Sequence, residues 1–94
     1  MIYHVVTIRD YKSRDEFEIG TTENVNEAQQ MAKEEINRIL RDNEKYESVE
    51  IRVYEDEELQ LDYDTVGRWR NGVFYRVDEG YRIYKQFDQS GENE

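Results

Sequence analysis

The sequence predicts an α+β fold, an antiparallel sheet of five to seven strands with one helix packed on one face. Two observations carry this. Apolar and polar residues alternate with period two in short runs near both ends of the chain, as half-buried strands require. One stretch between them repeats its apolar residues at three- and four-residue steps, as an amphipathic helix does. Proline is absent, so the turns fall to Gly, Asn and Asp. The expected order is ββαβ(β)βββ.

In the first strand Ile2, His4, Val6 and Ile8 alternate with Tyr3, Val5, Thr7 and Arg9, and His4 takes an inward-looking place as a satisfied histidine. The polar run DYKSRD turns the chain into a second strand, Glu16 to Ile19, with Phe17 and Ile19 on one face. Gly20 and two threonines close it, and the two strands are expected to pair as a hairpin.

Asn24 and Glu27 stand as an N-cap and the residue three positions on, whose carboxylate can reach back to a free backbone N–H. From there Val25, Ala28, Ala32, Ile36, Ile39 and Leu40 form an apolar stripe through about Asp42. Glu27, Gln30, Lys33, Glu34 and Arg41 face away from it. The stripe is expected to pack on the sheet.

Val49, Ile51 and Val53 then alternate with Glu50, Arg52 and Tyr54 in another half-buried strand. Leu59, Leu61 and Tyr63 alternate with Gln60, Asp62 and Asp64, which makes a strand or an extended acidic edge. The last third is a meander. Asn71-Gly72 between two strand-like runs marks a type I′ hairpin, since both residues tolerate positive φ. That turn sets Arg70 opposite Val73, Trp69 opposite Phe74, Arg68 opposite Tyr75 and Val66 opposite Val77. A three-residue turn at Asp78-Glu79-Gly80 sets Val77 opposite Tyr81, Tyr75 opposite Ile83 and Phe74 opposite Tyr84. Val66, Val73, Tyr75, Val77, Tyr81, Ile83 and Phe87 are assigned to the core, and the face holding Trp69, Phe74, Tyr84, Arg76 and Arg82 is left partly exposed. Residues 1–87 make one domain, and the acidic tail 88–94 is expected to be disordered.

The 94 residues carry 23 acidic and 13 basic side chains, a formal charge of −10. No stretch approaches the length of an apolar membrane span and no signal peptide is visible, so a cytoplasmic protein is expected. Cysteine is absent and His4 is the one histidine, which removes thiol chemistry and starves metal and acid–base sites of their usual ligands. Neither a cofactor, a metal nor enzyme activity is expected.

Charge is segregated. Residues 1–65 hold 18 acidic and 8 basic side chains, whereas 66–87 hold 2 and 5. Glu55, Asp56, Glu57, Glu58, Asp62 and Asp64 crowd into ten positions. Such bunching costs stability, and it serves either solubility or a cationic partner. Glu16, Glu18 and Glu50 are expected to add to that field from fixed strand positions.

These features lead to a binding module whose contact surface is Glu55, Asp56, Glu57, Glu58, Asp62 and Asp64, with Trp69 and Phe74 as hydrophobic anchors. The expected partner is a basic protein, a nucleic-acid-binding enzyme, and the net charge opposes direct contact with nucleic acid. In size, charge and lack of cysteine the chain resembles small acidic proteins of phages and mobile elements that disable host nucleases, among them anti-CRISPR and antirestriction proteins. That resemblance is compositional and implies a DNA mimic. Two alternatives stay open: a single-strand or small-ligand binder using Trp69, Arg76, Arg82 and Tyr84, and a structural homodimer.

Overall fold

The structure, a computed structural model, describes residues 1–70, 73–77 and 83–88. Its elements are β1 (Tyr3–Asp10), β2 (Asp15–Thr22), α1 (Val25–Asp42), β3 (Ser48–Tyr54), β4 (Tyr63–Arg70), β5 (Val73–Val77) and β6 (Ile83–Asp88). Every strand pairing is antiparallel, in the order β2-β1-β3-β4-β5-β6. The α+β class and the single helix on an antiparallel sheet agree with the sequence. The helix carries the chain past β1, so that β3 pairs on the side of β1 away from β2, and the chain then meanders outward.

Helix α1 begins at Asn24, whose side chain accepts from the Glu27 N–H at 3.0 Å. The Glu27 carboxylate takes the Thr22 hydroxyl, and that hydroxyl accepts from the Asn24 N–H at 3.1 Å. The expected reach-back to the backbone is thus relayed through Thr22. At the other end Asn43 adopts a left-handed conformation, φ 55°, and the N–H groups of Asn43 and Glu44 reach the carbonyls of Leu40 and Ile39 at 3.3 and 3.0 Å. Asn tolerates this backbone better than most residues, so it ends the helix where glycine otherwise would.

The helix buries Ala28, Ala32, Ile36 and Ile39 against Val5, Val49, Ile51 and Trp69. Val25 and Leu40, placed on the stripe by spacing, are exposed at its two ends, where the helix outruns the cluster, and Met31 packs in instead. A side chain at Gly20 would collide with the Met31 methyl, so the missing Cβ lets the helix lie close over β2. Glu35 is also buried under the helix. It accepts from the Thr7 hydroxyl at 3.1 Å and from Arg38 at 2.9 and 3.0 Å, which satisfies its charge.

One open question is settled and one expectation for the meander is overturned. The segment left open between a strand and an extended edge is a loop over residues 55–62: the Asp56 carboxylate accepts from the N–H groups of Glu58 and Leu59 at 2.9 and 3.2 Å, and Gln60 turns left-handed at φ 50°. Alternation of Leu59 and Leu61 asks for two faces, but a self-capping turn takes the segment out of the sheet. The correction concerns register between β5 and β6. Phe74 lies opposite Phe87 and Tyr75 opposite Gln86, with an irregularity between Arg76 and Val77. Phe74 therefore does not face Tyr84, because the connection between the strands is longer than a three-residue turn. The β4–β5 register holds as expected for Arg70–Val73, Trp69–Phe74 and Arg68–Tyr75. Asn71 and Gly72, the Asp78–Gly80 turn, Tyr81, Arg82 and tail residues 89–94 lie outside the described residues. Asp88 stands in β6.

Candidate functional site on the open face of the sheet

Residues opposed across a ladder share a face, so register sorts the strands. Val5, Thr7, Val49, Ile51, Gly67 and Trp69 face the helix; His4, Val6, Ile8, Ser48, Glu50, Arg52 and Arg68 face the other way. Trp69, expected as an exposed anchor, is 4% exposed in the helix-side core. The correction follows from pairing: Val49 lies opposite Trp69, and an irregularity beside Ile51 shifts Val66 out of step. Trp69 thus belongs to the core face that counting apolar positions denied it, while Val66, assigned to the core, does pack against it half-buried. Phe74, Arg76 and Tyr84 have only their backbone places in β5 and β6 described.

β3 was expected to be half-buried, yet Glu50 and Arg52 on its outer face are 2% and 3% exposed. They survive burial because they are paired. Arg52 donates from Nε to Glu50 at 3.2 Å and from its two terminal nitrogens to Glu16 at 2.7 and 3.1 Å. Its guanidinium also sits 4.2 Å over the Tyr63 ring. Burial works against its charge, and Glu16 and Glu50 overcome that, raising its affinity for the proton. The same Arg52 hydrogen bonds hold the Glu16 carboxyl below the usual range. Glu50 also accepts from Arg68 Nε at 3.0 Å and from the Tyr11 hydroxyl at 2.9 Å, and Tyr11 meets Ser48 at 2.6 Å. Burial pushes the Tyr11 and Tyr63 hydroxyls up.

Beside this network His4 is 3% exposed. Its Nδ1 lies 2.5 Å from Glu18 and its Nε2 2.9 Å from Glu57, with Tyr54 edge-on at 4.8 Å. A neutral imidazole can donate from one nitrogen only. Two carboxylate partners therefore call for imidazolium. Burial lowers the His4 pKa, but the bonds and charges of Glu18 and Glu57 outweigh it and the net shift is upward.

Several acids expected to face a partner are thus spent inside the molecule: Glu50 and Glu16 on arginine, Glu18 and Glu57 on His4. Asp64 is the second residue of β4 and is exposed. Glu55, Asp56, Glu58 and Asp62 remain exposed on the 55–62 loop, with Leu59 and Leu61 beside them at 64% and 74% exposure. The loop is closed at its neck by the Glu55 N–H on the Asp62 carbonyl, 3.0 Å, and within by the Gln60 N–H on the Asp56 carbonyl, 2.8 Å. Sequence reasoning passed over the two leucines because it read them as part of a strand or an extended acidic edge. It missed Arg52 because a polar alternation is ordinarily a solvated face, and Tyr11 because it stands in a polar turn.

The described residues contain no group of three or more His, Asp and Glu arranged to hold a metal ion. No described helix is long and apolar enough to cross a membrane. Fold and site together define an antiparallel α+β protein with, among the described residues, one helix, a charged, internally paired open face and an acidic hairpin loop. No family model, curated protein or solved structure matches the chain.

Proposed function

We propose that the protein is a non-enzymatic cytoplasmic binding module whose β3–β4 loop, residues 55–62, together with Asp64, enters the cationic nucleic-acid groove of a DNA-handling enzyme. In this role it acts as a nucleic-acid mimic of the kind phages and mobile elements direct at host nucleases. The observation that carries this is the loop itself. Glu55, Asp56, Glu58 and Asp62 are exposed on a turn held by its own backbone bonds and by the Asp56 cap. A fixed array of carboxylates loses little conformational freedom on binding, and its mutual repulsion is relieved against a basic surface. Leu59 and Leu61 take the place of the buried Trp69 as apolar anchors, since they stand in the same loop and are largely exposed.

The test is capture of partners from nuclease-treated bacterial lysate, followed by competition with duplex DNA. A DNA-handling enzyme is expected to be retained, to be released by salt and by the duplex, and to be lost with Glu55→Lys, Glu58→Lys and Asp62→Lys combined. A captured enzyme that ignores both the duplex and the triple charge reversal would overturn the proposal. Glu57 is left intact in this variant because it serves His4 within the fold.

A further inference from the structure

The open face encloses a cleft of ≈ 570 Å³ in which charge does not balance. Three guanidiniums, Arg14, Arg52 and Arg68, share it with two carboxylates, Glu16 and Glu50. Arg52 spends all three of its nitrogens on those carboxylates. Arg68 gives Glu50 its Nε, and its terminal nitrogens make no ion pair among the described residues. The Arg14 side chain, exposed on the β1–β2 turn, makes none there either. In a chain of charge −10 this is a cationic pocket, and its floor is rigid: Glu50 and Arg52 are almost fully buried and each is held from several sides.

We propose that this cleft binds a small ligand through an oxyanion group, a phosphate or a carboxylate, which accepts from Arg14 and from the terminal nitrogens of Arg68. Planar guanidinium edges suit such groups because two N–H donors meet two oxygens. Tyr11 and Tyr63, each 40% exposed, line the same cleft and offer ring surface to the rest of the ligand. The site is separate from the loop surface proposed above, and neither proposal depends on the other.

A backbone-amide NMR titration at constant ionic strength tests it, with inorganic phosphate, phenyl phosphate and benzoate as probes and chloride as the reference. Saturable shifts are expected at residues 11–16 and 63–68, with phenyl phosphate tighter than inorganic phosphate if the rings contribute. Phosphate against benzoate separates a phosphoryl ligand from a carboxylate one. Arg14→Gly suits the left-handed backbone at that position, φ 58°, and should keep the fold while weakening Kd about tenfold, equivalent to ~1.4 kcal/mol. Arg68→Lys keeps the charge, loses the fork and should weaken Kd as well. Shifts that merely match those with chloride, or a Kd untouched by Arg14→Gly, would overturn the assignment.

Discussion

On the helix side of the sheet, Val5, Val49, Ile51 and Trp69 meet Ala28, Ala32, Ile36 and Ile39. On the opposite side the same strands carry His4, Glu50, Arg52 and Arg68 in a web of charged hydrogen bonds. The first face is held by apolar burial and close packing, which tolerate a local defect at a cost set by the lost volume. His4, Glu50 and Arg52 on the second have been taken out of water and are stable only while their partners are in place. One face is robust to titration and the other is not.

The comparison is broken most severely by removing the largest side chain of the apolar face. Trp69→Ala is expected to cost about 3–5 kcal/mol, the range for deleting a buried aromatic, read from the midpoint of urea unfolding. A loss under ~1 kcal/mol would mean that Trp69 is not core.

Arg52→Met probes the polar face and is expected to cost about 3 kcal/mol, because it leaves Glu50 and Glu16 short of their partner. Adding Glu50→Leu to it should recover part of that loss, since an apolar pair needs no compensation. If the double variant is as unstable as the sum of both single ones, the face is held by something other than this pairing.

His4 sharpens the contrast through pH. Its folded-state pKa is raised above 6.5, so its stabilising contribution is complete below that value. The contribution is lost as pH climbs through the raised folded-state value. Wild-type protein should therefore lose stability over this window and His4→Gln should not. Parallel pH profiles for the two would contradict a charged His4 between Glu18 and Glu57. The effect is smaller than the two above, because Glu18 and Glu57 are partly solvated.

The sequence by itself determined the elements whose causes are local. The Asn24 cap and the three-to-four-residue apolar steps specify α1, and the β1–β2 hairpin and the β4–β5 register follow from alternation and turn chemistry. A period is a property of neighbouring residues, so it can be read along the chain. Only the tertiary structure decided which face of each strand lies under the helix. Trp69 could be assigned only by knowing that it stands opposite Val49 and that an irregularity displaces Val66. Nor could spacing show that Glu16 and Arg52, 36 positions apart, neutralise each other. Their pairing takes three strands in register, and a carboxylate that meets a guanidinium is no longer available to a partner. The Glu55–Asp62 loop kept its charge for the converse reason: Asp56 caps the turn and keeps the segment out of the sheet, so Glu55, Glu58 and Asp62 meet solvent instead of arginine.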